Sequence, residues 1–128
     1  MVTKILLVDD EPDIVAVMKL TLETKGFNVI TAYDGEEGFK KAKQERPDLI
    51  ILDVLMPKVL GDDMATKLRN DPDTYHIPVI FLTNLPLNFL TGSEEDESII
   101  QRDSRGNIYI QKTCSEEELL AAIKQVSQ

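Results

Sequence analysis

A chain of 128 residues is one domain by size, and large enough to bury a core without disulfide or metal staples. Lys plus Arg at 14 against Asp plus Glu at 23 gives a net charge of −9, which argues against direct binding to nucleic acid or an anionic membrane but welcomes a divalent cation. The composition, 42% hydrophobic and 29% charged with Cys114 as the single cysteine, suits a globular domain in a reducing compartment; no leader or membrane-spanning run is visible, so a cytoplasmic location is expected.

The first aliphatic run, Ile5 to Val8, reads as a strand that stops at Asp9, Asp10, Glu11 and Pro12. Proline suits a first helical turn and acids favour the positive end of a helix dipole, so a helix from about Pro12 to Lys25 follows, with Ile14, Met18 and Leu22 on its inner face and Gly26 as its stop. Phe27 to Ala32 is a second strand. Asp34 with Glu37 is a capping-box pattern for a helix running to about Gln44, closed by Arg46 and Pro47. Asp48 to Pro57 carries four aliphatic residues straight into Asp53, the pattern of a strand buried on both faces. A helix over Asp62 to Asn70 uses Met64 and Leu68, a fourth strand spans Ile77 to Thr83 and a short fifth Ile108 to Ile110. Ser115 with Glu118 starts a last helix whose buried stripe is Leu119, Ile123 and Val126. The acids Glu94 to Glu97 read as a helix start capped by Ser93.

Strands alternating with helices at this spacing predict a doubly wound parallel α/β sheet of five strands in a single domain over residues 1–128. In such a sheet all strand ends share one edge, so Asp9 and Asp10, Asp53, Thr83 and Lys112 converge on one crevice. Singly, each has an ordinary explanation: turn or helix-start acids, a β-branched strand end, an exposed lysine. Together they suggest phosphoryl transfer to a carboxylate. Asp53 would be the nucleophile, already ionised at neutral pH. Mg²⁺ would be held by Asp10 and Asp53, with Asp9 acting through water and a backbone carbonyl nearby. Lys112 would supply a second cation and Thr83 a hydroxyl donor.

The Leu7 to Glu11 stretch, Leu52 with Asp53, Met56 and Pro57 with Gly61, Thr83, and Tyr109 with Lys112 together resemble the receiver domains of two-component response regulators of the chemotaxis-protein type. The resemblance covers essentially the whole chain and implies a flavodoxin-like sheet in the order 2-1-3-4-5. By position it implies that Asp53 is the phosphoacceptor, Asp9 and Asp10 are metal-binding acids, and Leu55 lends its carbonyl to the metal. Thr83 and Tyr109 resemble the family's switch pair, and Lys112 its phosphate-contacting lysine. A sensor histidine kinase or phosphotransfer protein would be the donor and another protein the target, with no direct nucleic acid or membrane partner.

Three departures stand out. Lys112 is followed by Thr113 where the family usually has proline, Asn84 follows Thr83 where a small residue is common, and the interval from Thr83 to Lys112 is longer than usual. A cis bond before a non-proline residue costs about 2.5 to 4 kcal/mol, so Lys112–Thr113 is expected to be trans. Asp103 to Asn107 looks like a tight turn, and an extended Ile99 to Arg102 would add an antiparallel hairpin at the sheet edge. The leading reading is a stand-alone receiver that takes part in its own phosphorylation and dephosphorylation. The alternatives are a pseudo-receiver that binds partners without chemistry and a Mg²⁺-dependent phosphohydrolase, for which short loops leave little room.

Overall fold

A computed structural model describes residues 2–53, 61–83, 100–102 and 108–126, without the side chains of 61–63. The elements in chain order are β1 (Lys4–Val8), α1 (Pro12–Thr24), β2 (Asn28–Ala32), α2 (Gly35–Glu45), β3 (Leu49–Asp53), α3 (Gly61–Arg69), β4 (Val79–Thr83), β5 (Ile100–Arg102), β6 (Ile108–Gln111) and α4 (Glu116–Val126).

One sheet of six strands runs β2-β1-β3-β4-β6-β5. Five strands are parallel, in the expected order once the last parallel strand is numbered β6, and β5 pairs antiparallel with β6 through Ile100↔Ile110 and Arg102↔Ile108. The five-strand expectation is therefore corrected by one edge strand, the hairpin arm that an extended stretch ending at Arg102 implied. Every peptide bond among the described residues is trans, Lys112–Thr113 included. The helix start at Ser93 and the tight turn at Asp103 to Asn107 fall outside the described residues.

Side chains alternate across the pleat, so each strand feeds two cores. Ile5, Leu7, Leu49, Ile51, Ile80, Leu82, Ile108 and Ile110 face α1 and α4, meeting Val15, Met18 and Leu22 from the first and Leu119, Ala122 and Ile123 from the second. Leu6, Val8, Ile50, Leu52, Val79 and Phe81 face α2 and α3 and meet Ala42, Met64 and Leu68. That division explains why β3 and β4 are buried at all five positions, which only a doubly covered central strand requires.

Helix ends follow their local chemistry. Asp34 Oδ1 accepts from Glu37 N–H at 2.8 Å while Glu37 Oε1 accepts from Tyr33 N–H at 2.7 Å. Ser115 and Glu118 form the reciprocal box, Glu118 N–H to Ser115 Oγ at 3.1 Å and Ser115 N–H to Glu118 Oε1 at 2.6 Å. Gly26, at φ 95°, takes the left-handed conformation that ends α1. At the opposite edge from the strand termini, Asp48 Oδ2 accepts from the Thr3 and Lys4 N–H groups and the Thr3 hydroxyl, which holds its carboxyl below the usual carboxylate range.

Gly38 marks where α2 comes closest to the sheet. A Cβ built there would lie 3.0 Å from Met64 Cε and from both Val8 methyl carbons. Gly38→Ala gains about 1 kcal/mol of helix propensity but overpacks a strand side chain that cannot move, at about 1 to 3 kcal/mol. The expected result is a net loss of about 1 kcal/mol in urea unfolding; a more stable variant would show that α2 can shift away from β1.

Candidate functional site

Strand register builds the site. Val8 pairs with Leu52, so Asp9 leaves β1 level with Asp53, the last residue of β3. Asp53 pairs in turn with Leu82, and Thr83 with Gln111, so Thr83 and Lys112 leave the sheet within a residue of the same level. The Lys112 N–H donates to Thr83 O at 2.9 Å, anchoring the base of the lysine to the end of β4.

From there the Lys112 side chain, only 4% exposed, runs into a nest of carboxylates. Its ammonium lies 3.0 Å from Asp53 Oδ2, 3.2 Å from Asp9 Oδ1 and 3.0 Å from Glu11 Oε1. An ammonium has three hydrogens, and three carboxylates take them. Burial pulls the lysine pKa down, but the hydrogen bonds to Glu11, Asp53 and Asp9 outweigh it and the net shift is upward, so the group stays charged.

Asp9 is fully buried, and Asp53 is 4% exposed. Burial raises the Asp9 pKa, against the lowering effects of the Glu11 N–H and the Lys112 ammonium. The Glu11 N–H donates to Asp9 Oδ1 at 3.1 Å, a local turn that launches α1. Asp9 Oδ2 lies 3.1 Å from the ammonium, close enough for Coulomb attraction, yet it accepts no hydrogen bond. A buried carboxylate oxygen without a donor is costly unless a cation completes it. Asp9, Asp10 and Asp53 each offer an oxygen within 4.8 Å of the others, an all-oxygen set of the kind that hard divalent cations use. The cluster is thus able to hold a metal ion.

Asp9, Asp10 and Glu11 from the β1–α1 turn, Asp53 at the end of β3 and Lys112 just past β6 lie together here; the sequence expects Asp9, Asp10, Asp53 and Lys112 at this edge, and Glu11 is the addition. By sequence, Glu11 is only an acid at a helix start. Its side chain instead makes no cap for α1 and turns to Lys112. Thr83 is 1% exposed at the end of β4. Tyr109 sits on β6 opposite Phe81, their rings stacked at 5.0 Å with a 19° tilt, on the sheet face that Thr83 shares. Leu55 lies outside the described residues.

The response regulator receiver domain model matches residues 5–124. The chain belongs to the response regulator receiver family. Among its relatives, the alkaline phosphatase synthesis transcriptional regulatory protein PhoP of Bacillus subtilis is 38% identical over 123 residues, covering 96% of this chain and 48% of that protein. The phosphate regulon transcriptional regulatory protein PhoB of Rhizobium meliloti is 33% identical over 124 residues, covering 97% of this chain and 52% of that one. This receiver domain thus spans about half the length of the curated relatives it matches. Among solved structures, the chemotaxis response regulator CheY4 of Vibrio cholerae superposes with a TM-score of 0.79 at 28% identity, covering 98% of this chain and 99% of that one. The response regulator TrrA of Thermotoga maritima, in complex with Mg²⁺ and BeF, gives 0.77 at 31% identity over 97% and 98% of the two chains. Among the described residues no helix of the receiver domain is long and apolar enough to cross a membrane.

Proposed function

We propose that Asp53 is the phosphoacceptor of this receiver domain and that Asp9, Asp10 and Asp53 hold Mg²⁺ while it reacts. The observation that carries the reading is the Lys112 ammonium 3.0 Å from Asp53 Oδ2, inside a triad of acids with an unsatisfied buried oxygen. A carboxylate oxygen of Asp53 attacks the phosphorus of a phosphohistidine on a histidine kinase or phosphotransfer protein, and the P–N bond breaks with its electron pair leaving on the imidazole. Bound Mg²⁺ would neutralise charge on the phosphoryl oxygens, a role also supported by the metal in the Thermotoga maritima relative's complex.

The residues of this chain do the rest. Lys112, still protonated, gives a hydrogen bond to a phosphoryl oxygen, Thr83 donates its hydroxyl to another, and Leu55 would lend its backbone carbonyl to the metal. Tyr109 and Thr83 then act as the switch pair, biasing an equilibrium between inactive and active forms that is read by another protein in the cytoplasm. Acetyl phosphate, as donor, tests the reading: intact mass spectrometry is expected to show one added phosphoryl group on wild type with Mg²⁺ and none on Asp53→Asn. Unmodified wild type would leave an interaction module without phosphorylation.

A further inference from the structure

Resting on that reading, we propose that Glu11 is a positioning residue that receives the Lys112 ammonium when a divalent cation takes the carboxylates of Asp9 and Asp53, holding the ammonium at the rim for the incoming phosphoryl group. The metal-free arrangement commits all three ammonium hydrogens, to Asp9, Asp53 and Glu11. Two of those acceptors also belong to the acidic triad that a metal ion would occupy, and the third does not. A cation bound there would claim the Asp9 and Asp53 oxygens and repel the ammonium, leaving Glu11 as its one committed anion among the described residues.

Glu11 is built for that part. Its side chain is 51% exposed, so it approaches Lys112 from the solvent side, where a phosphodonor must arrive. Its backbone is tied to the acid pocket by the N–H donated to Asp9 Oδ1, and Lys112 is tied at its own backbone to Thr83. Two fixed bases thus hold a flexible pair, which tolerates a small swing of the ammonium outward. At the N-cap of α1 its side chain makes no capping bond, so its carboxylate is available to Lys112.

The test compares wild type with Glu11→Gln, Glu11→Asp, Lys112→Met and the Glu11→Gln/Lys112→Met pair. Acetyl phosphate is the donor at saturating Mg²⁺, and the Lys112 side-chain signals are followed by NMR with Mg²⁺ alone. Glu11→Gln is expected to slow phosphorylation about tenfold, as loss of an outer positioning contact does, with Glu11→Asp recovering most of it. The Lys112 signals are expected to sharpen towards those of a mobile lysine on adding Mg²⁺ to Glu11→Gln but not to wild type. In the Lys112→Met background the effect of Glu11→Gln is expected to shrink below twofold. Equal losses in both backgrounds, or Lys112 signals equally mobile in wild type and Glu11→Gln, would overturn the proposal. Wild type that neither binds Mg²⁺ nor takes phosphate would instead remove the reading beneath it, and the proposal with it.

Discussion

Replacing Lys112 with methionine is expected to cost the metal-free protein about 3 kcal/mol, the low end of what removing one partner of a buried ion pair costs. The low end applies because Glu11, half in water, can still be solvated, whereas Asp9 and Asp53 lose the only side-chain cation within reach among the described residues. The sign with pH follows from the raised lysine pKa. Its stabilising contribution is intact below the ordinary lysine value of 10.5 and is lost only as pH rises through the higher folded-state value. Wild type and Lys112→Met should therefore differ by a constant amount across neutral pH and converge in strong alkali. Added Mg²⁺ is expected to restore most of the stability, since a divalent cation serves the same carboxylates. It is not expected to restore the rate: without a donor aimed at the phosphoryl oxygens, phosphorylation of Asp53 should fall about a hundredfold. Urea unfolding with and without Mg²⁺, beside acetyl phosphate kinetics, separates the two effects. A variant as stable as wild type without metal would mean that the cluster does not need the lysine to fold.

The strand ends were legible because the physics there is local. An aliphatic run that stops at a carboxylate, as at Val8 with Asp9 or Leu52 with Asp53, marks where a buried strand meets a polar edge, and parallel topology brings all such edges together. The Ser115–Glu118 capping box and the Asp34 cap on the Glu37 N–H were legible for the same reason, each being a three-residue spacing with its own hydrogen bond, although Glu37 returns its own bond to Tyr33 rather than Asp34. Where two local signals competed, the sequence left the matter open. Acids after Ser93 favour a helix start while Ile100 to Arg102 can extend, and only pairing with Ile108 and Ile110 selects the strand. The inner stripe of α1 keeps Met18 and Leu22 and adds Val15, with Ile14 only partly buried against the same core, since helix rotation is set by the sheet it lands on. In sequence Glu11 looks like an acid serving the helix dipole, because its actual partner is 101 positions away. No spacing rule spans that distance; counting the hydrogens of Lys112 against the acids of its crevice would have raised the question.

Asp9→Asn is expected to move stability in the opposite direction, raising it by about 1 to 3 kcal/mol without metal, the cost of leaving a buried polar group unsatisfied. Asp9 Oδ2 is such a group, and the cluster of Asp9, Asp10, Glu11 and Asp53 faces Lys112 as its one ammonium among the described residues. An amide removes one charge from this repulsive set, keeps an oxygen for the Glu11 N–H and offers hydrogens to the neighbouring carboxylates. Because burial raises the Asp9 pKa above 3.8, the folded state holds its proton more tightly than the unfolded chain. Stability from this group is greatest below 3.8 and falls as pH rises through the higher folded value. Asp9→Asn should therefore flatten that part of the stability profile. With Mg²⁺ the order should invert: wild type gains the binding free energy of the metal, while the variant, lacking one of three acids, gains little. Thermal unfolding of both proteins, with Mg²⁺ and with chelator, gives the four values needed. Wild type more stable than Asp9→Asn in chelator would show that Lys112 already compensates the buried acid. The inverted order would identify Asp9 as a residue that weakens the empty fold so that the site can bind metal.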